Sequence, residues 1–400
     1  MKILSITAQK PDSTGSGVFL TELVKGFREL ECRQAVICGA APGEMLNFPE
    51  EVPVFPVRYQ TEELPFPVCG MSDEMPYEST RYRDMDQEMT LQFRDAFRAA
   101  IAEAVAVFQP DVILCHHLYF VASLVRQMYP QIPVFAQCHG SDLRQIETNG
   151  WQRQWIKEQI PKLDGIFALH ENQKEQICRI FGLPDYQVQV VGTGFNSKVF
   201  FRNQALSRDP EKHRYLFAGK LSEKKGIHSL LHCLKHLKYP DGAEVYLAGG
   251  CGSEEELEKI RAIAETAPCS VVFLGKLDQK ELACQMNRCD VFVLPSFYEG
   301  LPLVLMEAMA CGMRTICTDL PGIRPWLEQA IPGNGTIFVT PPGMECVDEP
   351  KAADLPEFEM RLAEAMEQAP RRPLPDPQAV GNLSWEALCR KLLTIFNNGR

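Results

Sequence analysis

No run of about 18 consecutive apolar residues occurs in the 400-residue chain, so no segment is expected to cross a membrane as a helix. Positive charge is also scarce. Residues 1–200 carry 18 Lys and Arg against 25 Asp and Glu, and residues 201–400 carry 23 against 27. Neither half has the basic surplus of a non-specific nucleic-acid binder, so no nucleic-acid partner is expected. The 15 cysteines include no Cys-x-x-Cys pair, and most lie in apolar runs, as Cys115 and Cys317 do. Buried reduced thiols in a cytoplasmic protein are expected, not a disulfide framework. The 29 prolines and 27 glycines are scattered, which leaves no low-complexity tract. The opening Met1-Lys-Ile-Leu-Ser-Ile-Thr7 is too short an apolar run for a signal peptide, and no small-residue cleavage site follows; a first strand is expected there.

The composition is that of an ordinary globular protein, 45% hydrophobic and 23% charged, and the length suits two domain cores. Apolar, β-branched runs alternate with longer amphipathic stretches. Val112–Cys115, Val134–Ala136 and Gly165–Ala168 belong to a first series. Tyr215–Ala218, Glu244–Leu247, Val271–Leu274, Val291–Leu294, Arg314–Cys317 and Thr336–Val339 form a second. This is the pattern of an α/β chain with parallel sheets wrapped by helices. It weakens over residues 194–212, read as a linker, and residues 57–90 follow no clear period. The reading is two Rossmann-like doubly wound domains, 1–202 and 203–376, with residues 377–400 carrying a last amphipathic helix from Trp385 to Phe396. Open parallel sheets bind ligands beyond the carboxyl ends of their strands. With two such domains, the site is expected in the cleft between them.

Glu299 and Glu307 stand eight residues apart in the stretch Ser296–Gly312. The strand before them ends at Pro295, and a helix is expected from about Pro302, since proline suits a first turn. Free amides near that start, at Gly300, Leu301 and Leu303, suit a phosphate. At ~1.5 Å per residue the two acids would lie roughly 12 Å apart, with Glu307 two turns into the helix, a span that fits both ends of a nucleotide-diphosphate sugar. A Glu-x7-Glu pair alone carries no signal. Glu307, however, sits among Leu303, Val304, Leu305, Met306, Ala308 and Met309, and a carboxylate in an apolar helix needs a partner. Two acids would repel a diphosphate, so cations must offset them. Lys220 and Lys225, in the run Ala218–Ile227, supply that counter-charge as mobile point charges. Alone, that run reads as a solvated approach to a helix.

Thr14-Gly15-Ser16-Gly17 is the first strand-to-helix loop, where glycine permits close backbone approach to a ligand. The pattern Gly-x-Gly-x-x-Gly is missing, which argues against a nicotinamide site. His139, in Cys138-His-Gly-Ser-Asp-Leu143, follows a strand and could hydrogen-bond a sugar, though taken by itself a capping role is the better reading. Three other groups read as structural. Asp84-Met-Asp86 lies in a charged helical stretch, Arg81–Arg98. His228, His232 and His236 have helical spacing but no supporting ligand. His116-His117 reads as packing or as cleft lining.

With these residues in place, the chain resembles the GT-B fold retaining glycosyltransferases of glycosyltransferase family 4 (glycosyl transferases group 1). The resemblance rests chiefly on Asp290–Gly322, with Val291-Phe-Val-Leu-Pro-Ser296 and Glu299-Gly-Leu-Pro-Leu-Val-Leu-Met-Glu-Ala-Met-Ala-Cys-Gly312. Phe217-Ala-Gly-Lys-Leu221, Lys225-Gly226, Gly249-Gly250, Phe273-Leu-Gly275 and His139-Gly-Ser-Asp142 support it. It implies that the second domain binds the nucleotide-sugar donor and the first mainly the acceptor. It assigns Glu307 to the ribose hydroxyls, Glu299 to the donor sugar hydroxyls and Lys225 to the diphosphate. His139 would contact the donor sugar near the reacting carbon, and Gly15-Ser-Gly17 would face the diphosphate. The final helix would cross back to brace the first domain. The chain departs from the family pattern at Lys220, where arginine is usual, at Ser16-Gly17, where Gly-Gly is usual, and at Phe195-Asn196, where Val-Asp is usual.

The resemblance implies metal-independent transfer with retention, by front-face attack in which a donor phosphate oxygen takes the acceptor's proton. No cofactor or metal is expected. The first expectation for the donor is a UDP-sugar. The acceptor is a glycan, glycolipid or small molecule, and a peripheral contact at the inner membrane face is left open. The alternatives are a nucleotide-sugar epimerase on the same scaffold and a non-catalytic partner that kept the fold.

Overall fold

Short β-branched runs and the amphipathic stretches between them fold into two separate parallel sheets. In this computed structural model the described residues are 1–11, 13–72, 75–209, 212–346 and 349–398. Two units divide the chain: Met1–Thr193 with Trp385–Arg400, and Gly194–Ser384.

Unit 1 contains strands β1 (Lys2–Ile6), β2 (Arg33–Ala40), β3 (Val54–Arg58), β4 (Cys69–Gly70), β5 (Thr80–Arg81), β6 (Val112–His116), β7 (Val134–Gln137), β8 (Gly165–Ala168) and β9 (Val188–Val190). Seven of them form one parallel sheet in the order β3-β2-β1-β6-β7-β8-β9, with β4 and β5 as a separate pair. Unit 2 contains β10 (His213–Ala218), β11 (Ala243–Ala248), β12 (Ser270–Gly275), β13 (Val291–Leu294), β14 (Arg314–Thr318) and β15 (Ile337–Val339), in the order β12-β11-β10-β13-β14-β15. All its pairings are parallel, and β10 meets β13 with Tyr215 opposite Val291. In each unit the winding direction reverses beside the first strand, between β1 and β6 and between β10 and β13. A doubly wound sheet opens its ligand crevice at that point. Every residue of β6 and β13 is buried, as expected for strands covered on both faces.

The last helix, Trp385–Asn398, belongs to unit 1. Its buried residues Trp385, Leu388, Cys389, Leu392 and Phe396 recur at helical spacing along one face. That face lies against helix Gly15–Glu29: a Cβ added to Gly26 would sit 2.5 Å from Cys389 Sγ. Phe19 meets Trp385 edge-on at 5.1 Å, and Phe396 lies 4.9 Å from Phe135 and 6.1 Å from Phe167.

Several expectations change in detail. The boundaries fall at 193/194 and 384/385, not 202/203 and 376/377. The described residues of 194–212 contain no helix or strand, but they are fastened to unit 2. Asn203 N–H donates to Asn287 Oδ1 (2.8 Å), Arg202 Nη1 to Asn287 O (2.9 Å), and Arg208 reaches Gly312 O (2.6 Å) and Cys311 O (3.0 Å). Their polarity serves helix C-termini, whose last carbonyls lack partners of their own. Between β3 and the helix at Gln87 the described residues form only short elements, yet Tyr59, Leu64, Phe66, Val68, Cys69, Met71, Tyr82 and Met85 are buried in the unit 1 core. Turn-built segments place side chains singly, so no period appears. Asp84-Met-Asp86 lies ahead of the helix Gln87–Phe108: Asp86 is its N-cap, accepting Met89 N–H at 2.8 Å. His228 and His232 are helical, whereas His236 lies in the following short turn.

Phe396→Ala should lower unfolding free energy by roughly 3–5 kcal/mol, because a ring buried among Phe27, Phe135 and Phe167 is lost without collapse of the site. Urea denaturation measures this.

Candidate active site

Four strand-to-helix loops of unit 2 converge beyond the carboxyl ends of β10–β13, and their backbones tie them together. Gly219 N–H donates to Ala248 O (2.9 Å), Leu221 N–H to Gly250 O (2.9 Å), Gly249 N–H to Gly275 O (2.7 Å) and Phe297 N–H to Lys224 O (3.0 Å). Two glycines make this approach possible. Gly226 has φ +70, and a Cβ there would lie 2.0 Å from Pro295 O; Gly249 has φ +149, and a Cβ would lie 1.7 Å from Gly219 O. No L side chain fits either place.

The loops enclose a cavity of about 780 Å³ lined by Lys220, Lys225, Glu299, Leu301, Leu303 and Glu307, all expected from the sequence. Gly300 is exposed beside it but is not part of the lining. Lys225 Nζ lies 2.7 Å from Glu299 Oε1, and both side chains are mostly shielded from solvent. The helix begins at Leu303, with Pro302 as an N-cap that makes no side-chain bond, so nothing on its cap competes for the first-turn N–H groups. Its far end is held by Arg208 through the carbonyls of Cys311 and Gly312. Glu299 therefore lies on the loop, not the helix, and Glu307 stands little more than one turn in. The 12 Å helical span does not apply: a loop and a helix bring the two acids to the same cavity.

Lys276, which the sequence reading passed over, also lines the cavity. It follows the quoted Phe273-Leu-Gly275 directly, and its stem crosses Gly250 so closely that a Cβ there would meet Lys276 Cε at 2.5 Å. Its only signal is position, one residue beyond a strand end. Lys220 runs over Gly252 in the same way, at 3.2 Å. Neither Lys220 nor Lys276 has an ion pair among the described residues, whereas Lys225 is neutralised by Glu299. Leu277 and Leu282 add an apolar wall. The cavity thus combines two unpaired ammonium groups, a bare helix start, two carboxylates and an apolar patch.

Unit 1 holds the other expected residues around its own switch point. Thr14 caps the first helix by accepting Gly17 N–H at 3.1 Å. Ser16 Oγ donates to Gln9 Oε1 (3.0 Å), which His117 Nε2 also approaches at 3.1 Å. Gly15 is exposed, and a Cβ there would meet nothing within 4 Å, so the space above the turn is open. His139 is half-buried in a cluster with His116 and His117. His116 Nδ1 lies 3.2 Å from His139 Nε2 with the rings stacked, and Phe19 meets the His139 ring edge-on at 5.1 Å. Fully buried Asp142 anchors the loop, accepting Leu118 N–H at 2.8 Å and His139 N–H at 3.3 Å. Burial pushes the His116 imidazole down to about 3, helped by neighbouring His117. Burial also holds His139 well below the usual histidine range, with His117 and His116 adding to it, and lowers His117 against the pull of Asp142. His139 is therefore a neutral hydrogen-bonding group at physiological pH.

Residues 13–199 match the family model of Glycosyltransferase Family 4, and residues 200–347 match that of Glycosyl transferases group 1. The chain is 28% identical over 179 residues to an uncharacterised glycosyltransferase of Methanocaldococcus jannaschii, covering 42% of this chain and 45% of that protein. It is 24% identical over 341 residues to a D-inositol 3-phosphate glycosyltransferase of Streptomyces bingchenggensis, covering 78% and 71%. The chain spans about half the length of several of the curated relatives it matches, 45% and 54% in two cases. Among solved structures, Anabaena HepE in complex with UDP and glucose is similar over all of both chains, with a TM-score of 0.63 at 14% identity, a likeness of fold.

The unfolded chain binds protons at these imidazoles near pH ~6.5 and the folded chain does not. Stability is therefore full above that pH and falls as pH drops below it. For His116 alone the loss should reach about 2 kcal/mol at pH 5. Urea unfolding at pH 7.5 and pH 5 tests this: His116→Gln should flatten the dependence, and an unchanged slope would contradict the assignment.

Proposed function

We propose that this chain, which belongs to the glycosyltransferases described by the family 4 and group 1 models, moves a sugar from a nucleotide-diphosphate sugar to an acceptor hydroxyl with retention of configuration and without a metal ion. The observation that carries this reading is the unit 2 cavity, where Lys220 and Lys276 have no carboxylate partner among the described residues and stand beside an uncapped helix start. That arrangement suits a diphosphate.

In this reading the diphosphate lies against the first turn of helix Leu303–Ala310, with Lys220 and Lys276 over it. The base rests on Leu277 and Leu282. Glu307 accepts from the ribose hydroxyls and Glu299 from hydroxyls of the donor sugar. The donor separates Lys225 from Glu299, freeing the ammonium for the phosphate while the carboxylate turns to the sugar. In the transfer step the bond from the anomeric carbon to the phosphate oxygen breaks, and the acceptor oxygen bonds to that carbon on the same face. The acceptor proton passes to the departing phosphate oxygen. Lysines and helix amides stabilise the charge that grows on that group. His139, neutral, serves as a hydrogen-bond partner of the donor sugar and not as an acid.

UDP is the proposed nucleotide, in keeping with the UDP held by HepE. The acceptor is a glycan, glycolipid or small molecule. No helix among the described residues is long and apolar enough to cross a membrane. No observation favours the epimerase.

Glu299→Ala and Lys225→Ala should each reduce transfer at least about 100-fold, in the range seen when one preorganised charge-stabilising donor is lost. Transfer should survive EDTA. Full activity in both variants would overturn the mechanism, and loss in EDTA would overturn its independence of metal. A thermal-shift screen with UDP, GDP and ADP should show the largest rise with UDP. Lys276→Ala should weaken UDP binding about tenfold while leaving the ligand-free melting temperature unchanged.

A further inference from the structure

A second cavity, of about 560 Å³, lies within unit 1 along the helix Gln87–Phe108. That helix has two distinct faces. Phe93, Phe97, Ile101, Ala104 and Phe108 are buried in the core. Gln87, Leu91, Arg94 and Arg98 fall at i, i+4, i+7 and i+11 on another stripe and line the cavity. The opposite wall is aromatic, made of Phe120, Trp151 and Trp155. Phe120 lies 5.0 Å from each indole, and Trp151 Nε1 donates to Thr90 Oγ1 at 2.8 Å, which fixes the ring's orientation. Both tryptophans are partly buried against the core and Leu91 is 41% exposed, so some aromatic and aliphatic surface faces an open space.

The polar groups are as informative as the rings. Gln87, Gln127 and Gln152 line the cavity, and their side-chain amides have no hydrogen-bond partner among the described residues. Arg98 has no ion pair among them either, while Arg94 Nε is held by Asp95 at 2.9 Å. Two arginines one turn apart repel each other mildly. Asp86, the one acid in the lining, is committed to the helix cap. Arg98 is thus the one guanidinium of the lining without an acid partner among the described residues, set beside stacking faces and exposed amides in a chain of net charge −11.

We infer that this cavity is a carbohydrate-binding site for a segment of acidic glycan. A pyranose face presents C–H groups to the negative face of an indole. The amides reach the hydroxyls, and the Arg98 guanidinium takes the acid group in a fork-to-fork contact. A purely packing role explains the buried parts of Trp151 and Phe120. Gln87, Gln127, Gln152 and Arg98 are exposed and make no protein bond among the described residues, which leaves them open to a ligand in place of water. The site rests on unit 1 alone and does not depend on the proposed transfer reaction.

Hexagalacturonate titrated into the intact protein should quench indole fluorescence saturably. Trp155→Ala and Arg98→Glu should each weaken that binding at least tenfold, and the exposed Leu91→Glu provides a third variant that leaves the core intact. Maltohexaose, neutral and of similar length, should bind at least tenfold more weakly. Equal binding of maltohexaose would overturn the acidic assignment. A titration that does not saturate, or unchanged affinity in all three variants, would overturn the site. A UDP thermal shift on the same samples reports on the transferase reading separately.

Discussion

Everything in unit 2 that carries charge toward a ligand hangs from one set of main-chain hydrogen bonds. The loops after β10, β11, β12 and β13 bind each other through Gly219, Gly249, Gly275, Leu221 and Phe297. Because backbone holds backbone, side chains are released from structural duty at the rim. Lys220 and Lys276 lie across glycines where any larger residue would displace them. Main-chain bonds have fixed geometry and lose little to side-chain entropy, so a site built this way is preorganised with its long lysines still mobile.

The charges then divide into two kinds. Lys225 and Glu299 satisfy each other at 2.7 Å, so neither is left as a lone ion in a partly dry cavity. Lys220 and Lys276 have no such partner among the described residues and set the local sign. The net charge of −11 would repel an anion at a distance, and the cavity's lysines oppose that at short range. Unit 1 contributes differently. Its histidines are kept neutral by burial, so His139 offers hydrogen bonds without charge.

The fold was legible because both sheets are parallel and doubly covered: strands such as Val291–Leu294 read as unbroken apolar runs. Glu307 was legible because its apolar neighbours made a carboxylate anomalous. Lys276 was not, since a lysine just past a strand looks like any solvated one until the sheet places Gly250 beneath it. His116 was ambiguous: only the pairing of β6 with β7 brings it to His139. The helical distance assigned to the two glutamates failed because a helical rise was applied from Glu299 onward, although the residues up to Pro302 are loop. Residues 194–212 looked like a loose linker for a related reason. Arg202 and Arg208 are as polar as solvated residues would be, but their partners are carbonyls distant in sequence.

The last helix of unit 1 is made after the whole of unit 2, residues 194–384. On a ribosome, the face formed by Phe19, Phe27, Phe135 and Phe167 must wait for Trp385 and Phe396 through the synthesis of about 190 residues. At roughly 5–20 residues per second that is on the order of 10–40 seconds with an aromatic surface uncovered. Unit 2 has no such debt, since its strands and helices are contiguous in the chain. Unit 2 can therefore be finished before unit 1, and the nascent chain offers a chaperone a defined apolar target until Trp385 and Phe396 emerge.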